Sequence, residues 1–180
     1  MIRTARPGDV PAILELIREL ADYEHALDEV LVTDADLTAT LFGPDPAVFA
    51  HVAEPEGPGS GVAGLALWFV NYSTWTGRPG LYLEDLYVTP GGRRSGLGRA
   101  LLAELARLCV ERGYARLDWA VLDWNAPALK FYAAVGAEPL DTWRLHRLSG
   151  PALEALAAEA PGEAGPRKPG PRKPGPAGLS

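Results

Sequence analysis

Residues 93–98, Arg-Arg-Ser-Gly-Leu-Gly, have the composition of an anion cradle. They stand between an apolar, strand-like run, Gly80–Val88, and a helix-like run, Leu97–Arg112, with Thr89-Pro90-Gly91-Gly92 breaking the strand. A helix N-terminus carries unpaired N–H groups and the positive end of the helix dipole. Gly96 and Gly98 let that backbone approach an anion with no Cβ between them. Arg93 and Arg94 add charge-assisted donors. No Gly-Lys-Ser/Thr follows, so this is not a Walker loop, and the third glycine of a dinucleotide fingerprint is missing. Taken alone, the same residues could form a capped turn with a solvated basic face.

The flanking pattern supplies the elements that must hold the loop. Ile2–Arg6 reads as a strand. Asp9 stands as cap to a helix with Val10, Ile13, Leu14, Ile17, Leu20 and Ala21 at the 3.6-residue period. Thr33 with Asp36 opens a second helix through Leu41. Strands are expected at 48–54, 62–72, 81–88 and 117–122, with a loop over 71–79. Gly113 ends the helix that follows the cradle. Asn125 starts a further helix, with Pro127 in its first turn, ending near Val135-Gly136. A last strand or strand pair is expected over Leu140–Leu148, then a helix over Pro151–Glu159. This order argues an α/β fold with a mixed sheet and helices on both faces.

Composition narrows the function. One globular domain is expected over residues 1–160, followed by a Pro/Gly/Arg/Lys-rich tail, 161–180, in which Gly-Pro-Arg-Lys-Pro occurs twice. The tail lacks apolar residues to bury and is expected to be disordered. Residues 1–160 hold 13 Lys or Arg against 22 Asp or Glu. So acidic a body argues against nucleic acid as substrate and is compatible with a cationic one. No apolar run is long enough for a membrane span, and residues 1–10 lack a secretory h-region. The single cysteine, Cys109, falls on the apolar stripe of its helix, which suits a buried thiol in a reducing cytoplasm. His25, His51 and His146 show no metal-ligand spacing.

Further motifs extend the pattern: Glu19-Leu20-Ala21-Asp22-Tyr23-Glu24, Trp75, Leu81 to Val88, Trp124-Asn125-x-Pro127, Phe131-Tyr132 with Gly136-Ala137, and Trp143-Arg144-Leu145. Together with the cradle, Arg-x-x-Gly-x-Gly, they resemble the GNAT superfamily of N-acetyltransferases. Within it they resemble the spermidine/spermine (diamine) or thialysine N-acetyltransferase branch. The resemblance covers residues 2–148. It implies a mixed, mostly antiparallel sheet whose central strands splay apart to admit the pantetheine of acetyl-CoA, with no metal required. A splayed gap needs a bulge, since regular pairing leaves no free backbone groups; it is expected within Leu81–Val88. Two departures stand out. Gly91-Gly92 replaces a bulkier pair, and Glu138–Thr142 is shorter than in spermidine acetylators, where part of the amine pocket is expected.

The resemblance also assigns roles. Acetyl-CoA is expected on Leu86, Tyr87, Val88, Arg93, Arg94, Ser95, Gly96, Leu97, Gly98, Arg99, Asn125 and Tyr132. Negative charge growing on the acyl oxygen falls to backbone N–H groups near Tyr87 and Val88. Glu84 is the expected general base and Tyr132 the acid for the departing thiolate. Tyr23, Glu24, Trp75, Glu84 and Asp85 are expected to bind a small primary amine such as a polyamine, a diamine or thialysine. A homodimer is implied, with no membrane or nucleic-acid partner. Acetylation of another amine (an amino acid, an antibiotic or a protein lysine) and a non-catalytic acyl-CoA-binding module are the competing readings.

Overall fold

A computed structural model of the chain describes residues 1–55, 57 and 61–161. The chain divides into two compact units, the first Met1–Phe131 and the second beginning at Tyr132. The basic tail expected to be disordered lies, beyond Pro161, outside the described residues.

The first unit holds a five-stranded sheet in the order β1-β2-β3-β4-β5. The strands are β1 (Ile2–Thr4), β2 (Phe49–Ala53), β3 (Gly64–Ser73), β4 (Arg78–Val88) and β5 (Leu117–Trp119). The first four are successively antiparallel and β5 joins β4 in parallel. Helices α1 (Val10–Tyr23) and α2 (Asp34–Phe42) lie between β1 and β2; α3 (Leu97–Glu111) follows β4 and α4 (Ala126–Ala134) follows β5.

Side chains alternate across the sheet. Leu65 and Leu67 of β3 enter one core with Val10, Ile13, Leu14 and Leu41, under α1 and α2. Gly64 faces the other side, where an added Cβ would meet Leu101 of α3 at 3.2 Å. Ala66 and Trp68 follow it there, buried with Leu101 and Leu105. His51 belongs to this second layer, its Nδ1 accepting from Trp68 Nε1 at 3.0 Å. Cys109 is buried.

Local signals explain most boundaries. Thr33 and Asp36 cap α2 reciprocally, Thr33 Oγ1 accepting from Asp36 N at 3.2 Å and Asp36 Oδ2 from Thr33 N at 3.0 Å. Asp9 differs from expectation: its carboxylate takes two bonds from Arg3, at 2.6 and 2.9 Å, and one from Arg6 N, and caps no amide of α1. The Arg3 guanidinium and the Arg6 amide, both before the helix, take the oxygens that would otherwise cap it. The expected loop over 71–79 is a tight hairpin, Gly77 N donating to Ser73 O at 2.9 Å with Gly77 at φ 64.

In the second unit, α4 ends with Ala137 N bonding back to Tyr132 O at 3.1 Å and Gly136 at φ 84. Helix α5 spans Gly150–Ala158. The strand expected at Leu140–Leu148 does not form: residues 143–149 have no regular structure and join no ladder among the described residues. A strand needs a neighbour for its amides, whatever its apolar content.

Candidate active site

The bulge expected in β4 is present, and it builds the site. Leu67 pairs with Asp85 and Trp68 with Leu83, so Glu84 is the extra residue. A bulge reverses the facing of the residues beyond it. Leu81 and Leu83 share the face of Trp68, whereas Asp85 and Tyr87 pair with Leu67 and Leu65 and turn toward the α1 side. Without the insertion Asp85 would point into the α3 layer.

The same residue ends the pairing with β5. Leu81, Tyr82 and Leu83 pair with Leu117, Asp118 and Trp119, and no pair follows among the described residues. Thr89 N donates to Ala63 O at 2.9 Å, which fixes the alternation of the β3–β4 ladder. Asp85 and Tyr87 therefore spend their backbone groups on β3. Those of Leu86 and Val88 face the edge that β5 has left. The free amide beside that of Val88 is thus Leu86, and not Tyr87.

The cradle lies at the end of this open edge. Helix α3 has Gly96 as N-cap, at φ 89. Ala100 N bonds to Gly96 O at 2.9 Å, while Leu97, Gly98 and Arg99 precede the first helical bond. Arg94 is also left-handed, at φ 64. Ser95 Oγ ties the loop by donating to Gly92 O at 2.6 Å. Gly98 tests the fit to a ligand. An added Cβ would meet only Val88 at 3.7 Å and Phe131 at 4.0 Å, ordinary contacts, and its φ is not left-handed. Nothing in the protein requires glycine there, whereas close approach of a diphosphate does.

Arg93 reaches back over the open edge. Its Nε donates to Val88 O at 3.2 Å, and its guanidinium lies 5.2 Å from the ring centre of Tyr23 and 5.7 Å from that of Tyr87. With Glu19, Asp22 and Pro90 these three residues line a cavity of about 400 Å³. Tyr23 Oη donates to Asn125 Oδ1 at 3.1 Å, and the same oxygen caps α4 through Ala128 N at 3.2 Å. Asn125 is buried. Trp124 stacks on His25 and meets the Tyr23 ring at a tilt of 48°, with centroids 5.9 Å apart in both pairs.

An acidic group adjoins the open edge. Burial, then the charges of Glu84 and Glu24, raise the Asp85 carboxyl to about 6. Burial raises Glu24 as well. The phenol of Tyr87 is pushed up by burial and by a bond to Glu19.

The structure thus gathers Tyr23, Arg93, Tyr87 and Asn125 in one cluster, and Glu24, Glu84 and Asp85 in a second. Leu86, Val88, Ser95, Gly96, Leu97, Gly98 and Arg99 line the edge and the helix start, with Arg94 and Arg99 exposed. Tyr132 lies in α4, as the first residue of the second unit. Trp75 stands apart from the acids, 86% exposed at the β3–β4 turn and about 20 Å along β4 from the bulge at roughly 3.3 Å per residue. Glu19 and Asp22 stand in a motif quoted from the sequence but carry no site role there, although helical spacing puts Glu19 on the face of Tyr23. Among the described residues no group of three potential metal ligands occurs. No described helix is long and apolar enough to cross a membrane.

Residues 12–137 match the acetyltransferase (GNAT) family model. The chain is 41% identical to the thialysine N-epsilon-acetyltransferase of Bos taurus, over 88% of its length and 98% of that protein's. It is 32% identical to the L-ornithine N5-acetyltransferase NATA1 of Arabidopsis thaliana, over 86% of each. Among solved structures, an integron cassette protein from the mobile metagenome of V. cholerae superposes with a TM-score of 0.71 at 24% identity, over 87% of this chain and 96% of that one.

Proposed function

The chain belongs to the GNAT family and is an acetyl-CoA-dependent N-acetyltransferase; from that premise we propose how its residues divide the reaction. The acceptor is the primary amine of a small molecule, a polyamine, a diamine or a lysine analogue such as thialysine. The observation that carries this reading is the Glu84 bulge, beyond which the β4 edge is open and Asp85 takes the face of Leu67.

Acetyl-CoA supplies a thioester-activated acetyl group. The Leu97, Gly98 and Arg99 amides, with Arg93, Arg94 and Ser95, would hold its diphosphate, and the Leu86 and Val88 backbone its pantetheine. Tyr87 backs this edge from within the core. Asn125 Nδ2 is a further donor. An alkyl ammonium has a pKa of about 10.4, so fewer than about one molecule in a thousand is a nucleophile at neutral pH. Glu84, exposed at the bulge, accepts the ammonium proton, with the raised carboxyl of Asp85 beside it. Tyr23 and Glu24 close the acceptor side, where carboxylates and an aromatic face attract a cation. Charge growing on the acyl oxygen falls to the Leu86 and Val88 N–H groups. Tyr132 donates its phenolic O–H to the departing thiolate.

The protein is read as a cytoplasmic homodimer. Trp143, Leu145 and Leu148 are exposed in the second unit, as are Leu153 and Leu156 of α5. Apolar surface of that extent is usually covered by a partner. The buried free thiol of Cys109 suits a reducing compartment. The test is mass-spectrometric detection of acetylated product across a panel of primary amines, with release of the CoA thiol measured in parallel. Thiol release matched by acetylation of a small amine is expected; acetylation of no amine in the panel refutes the reading.

A further inference from the structure

The sheet face that carries Asp85 continues past the bulge to groups that take no part in the chemistry at Glu84. On β3, Phe69 and Asn71 follow Leu67 on that face; they pair with Tyr82 and Gly80 of β4, and Tyr82 pairs with Asp118 of β5. The Phe69 and Tyr82 rings stack at 5.1 Å and form an apolar floor. Beyond the floor, Arg116 Nε meets Asp118 Oδ2 at 2.7 Å, and Asn71 Nδ2 donates to the same oxygen at 3.1 Å. The Arg116 stem crosses Gly80, where an added Cβ would stand 2.9 Å from it and 2.5 Å from Asn71 Oδ1. That amide oxygen is buried with no hydrogen-bond partner. The Arg116 and Asp118 side chains remain 43% and 28% exposed. Burial, then the charges of Glu84 and Asp118, raises the Tyr82 phenol, so both carboxylates reach the same ring.

We infer that Arg116, Asp118 and Asn71 form a zwitterion subsite, which holds the α-carboxylate and α-ammonium of a lysine-type amino acid while its terminal amine lies at Glu84 and Asp85. The inference rests on the acceptor reading above and narrows it. Guanidinium is the group best suited to a carboxylate. Asp118 Oδ1 is an acceptor for an ammonium, on a carboxylate that Asn71 Nδ2 orients. The span agrees: Tyr82, beside Asp118, lies about 7–10 Å along β4 from Asp85 at roughly 3.3 Å per residue. An extended lysine-type chain covers about 6 Å from α-carbon to terminal nitrogen, and the acidic side chains bridge the rest. A diamine of equal length would set a bare ammonium against Arg116.

The same three side chains could merely staple β5 to β3, so the test compares acceptors. Initial rates are measured with lysine, its carboxamide and 1,5-diaminopentane, for the native protein and for Arg116→Ala and Arg116→Lys. A charge-assisted contact predicts that Arg116→Ala raises KM for lysine at least about tenfold with kcat within about twofold. The diamine should be unaffected or improved, and Arg116→Lys should restore part of the loss. In the native protein the carboxamide should show the same rise in KM, a result that does not depend on any variant folding. Equal losses for lysine and the diamine, or a carboxamide used as well as lysine, overturn the subsite and leave the acetyltransferase reading intact. Turnover of no amine by the native protein overturns both.

Discussion

Replacing Asp85 by Asn should make the protein more stable and less active, and the gain should grow with pH. The Asp85 carboxyl ionises at about 6 in the fold against an ordinary value of 3.8, chiefly because it is buried and then because Glu84 and Glu24 stand near. An acid with a raised folded pKa holds its proton more tightly folded than unfolded. Its contribution therefore falls as pH rises from about 4 to 6 and is constant above. At 1.36 kcal/mol per pH unit the penalty at pH 8 is about 2–3 kcal/mol. Urea unfolding of the native protein and of Asp85→Asn at pH 4 and pH 8 measures it. The stability difference should shift in favour of the variant by about 2–3 kcal/mol between those pH values. Acetyl transfer by the variant should fall by roughly 10–10²-fold, the worth of one charge-assisted contact to the acceptor ammonium. Parallel stability profiles for the two proteins would refute the strained acid pair. Unchanged turnover would remove Asp85 from the chemistry.

Gly98→Ala should leave the melting temperature unchanged or higher, because its Cβ has room, yet weaken CoA binding at least about tenfold by calorimetry. Gly96→Ala should instead lose about 1–2 kcal/mol of stability, because φ is 89 there. Tyr23→Phe keeps the ring beside Arg93 but drops the bond to Asn125; denaturant melts should show a loss of about 0.5–1.5 kcal/mol. Burial holds His51 below its ordinary value, so its neutral form stabilises the fold above pH 6.5 and that contribution is lost as pH falls. Melts of His51→Gln should therefore vary less between pH 7 and 5 than those of the native protein. Light scattering should return twice the chain mass of 19.2 kDa, and a monomer at micromolar concentration would contradict the dimer.

Much of this site is legible along the chain because its signals are local. The strand, Pro90, the glycines and the amphipathic run to Glu111 lie in one continuous stretch, and each carries its own backbone preference. The Thr33–Asp36 box is equally local. Features that depend on pairing are less legible. Asp85 and Glu84 are adjacent in sequence, and only the register against Leu67 and Trp68 reveals which of them is the insertion and which face each takes. Arg116 and Asp118 sit two apart, as residues on one strand face do, but their nearness to Asn71 depends on a three-strand register. Leu140–Leu148 has the composition of a strand but joins no ladder among the described residues. Asp9 looked like a helix cap because Arg3, six residues away, cannot be read as its partner from sequence.

Amide hydrogen exchange read residue by residue tests the open β4 edge most directly. In the free protein Leu86 and Val88 should exchange fast and Tyr87 slowly, because only Tyr87 bonds to β3. Saturating acetyl-CoA should slow Leu86 and Val88 at least about tenfold and leave Tyr87 as it was. Slow exchange at Leu86 and Val88 before any ligand is added, or no slowing after it, would contradict a sheet split at Glu84 to receive the acyl donor.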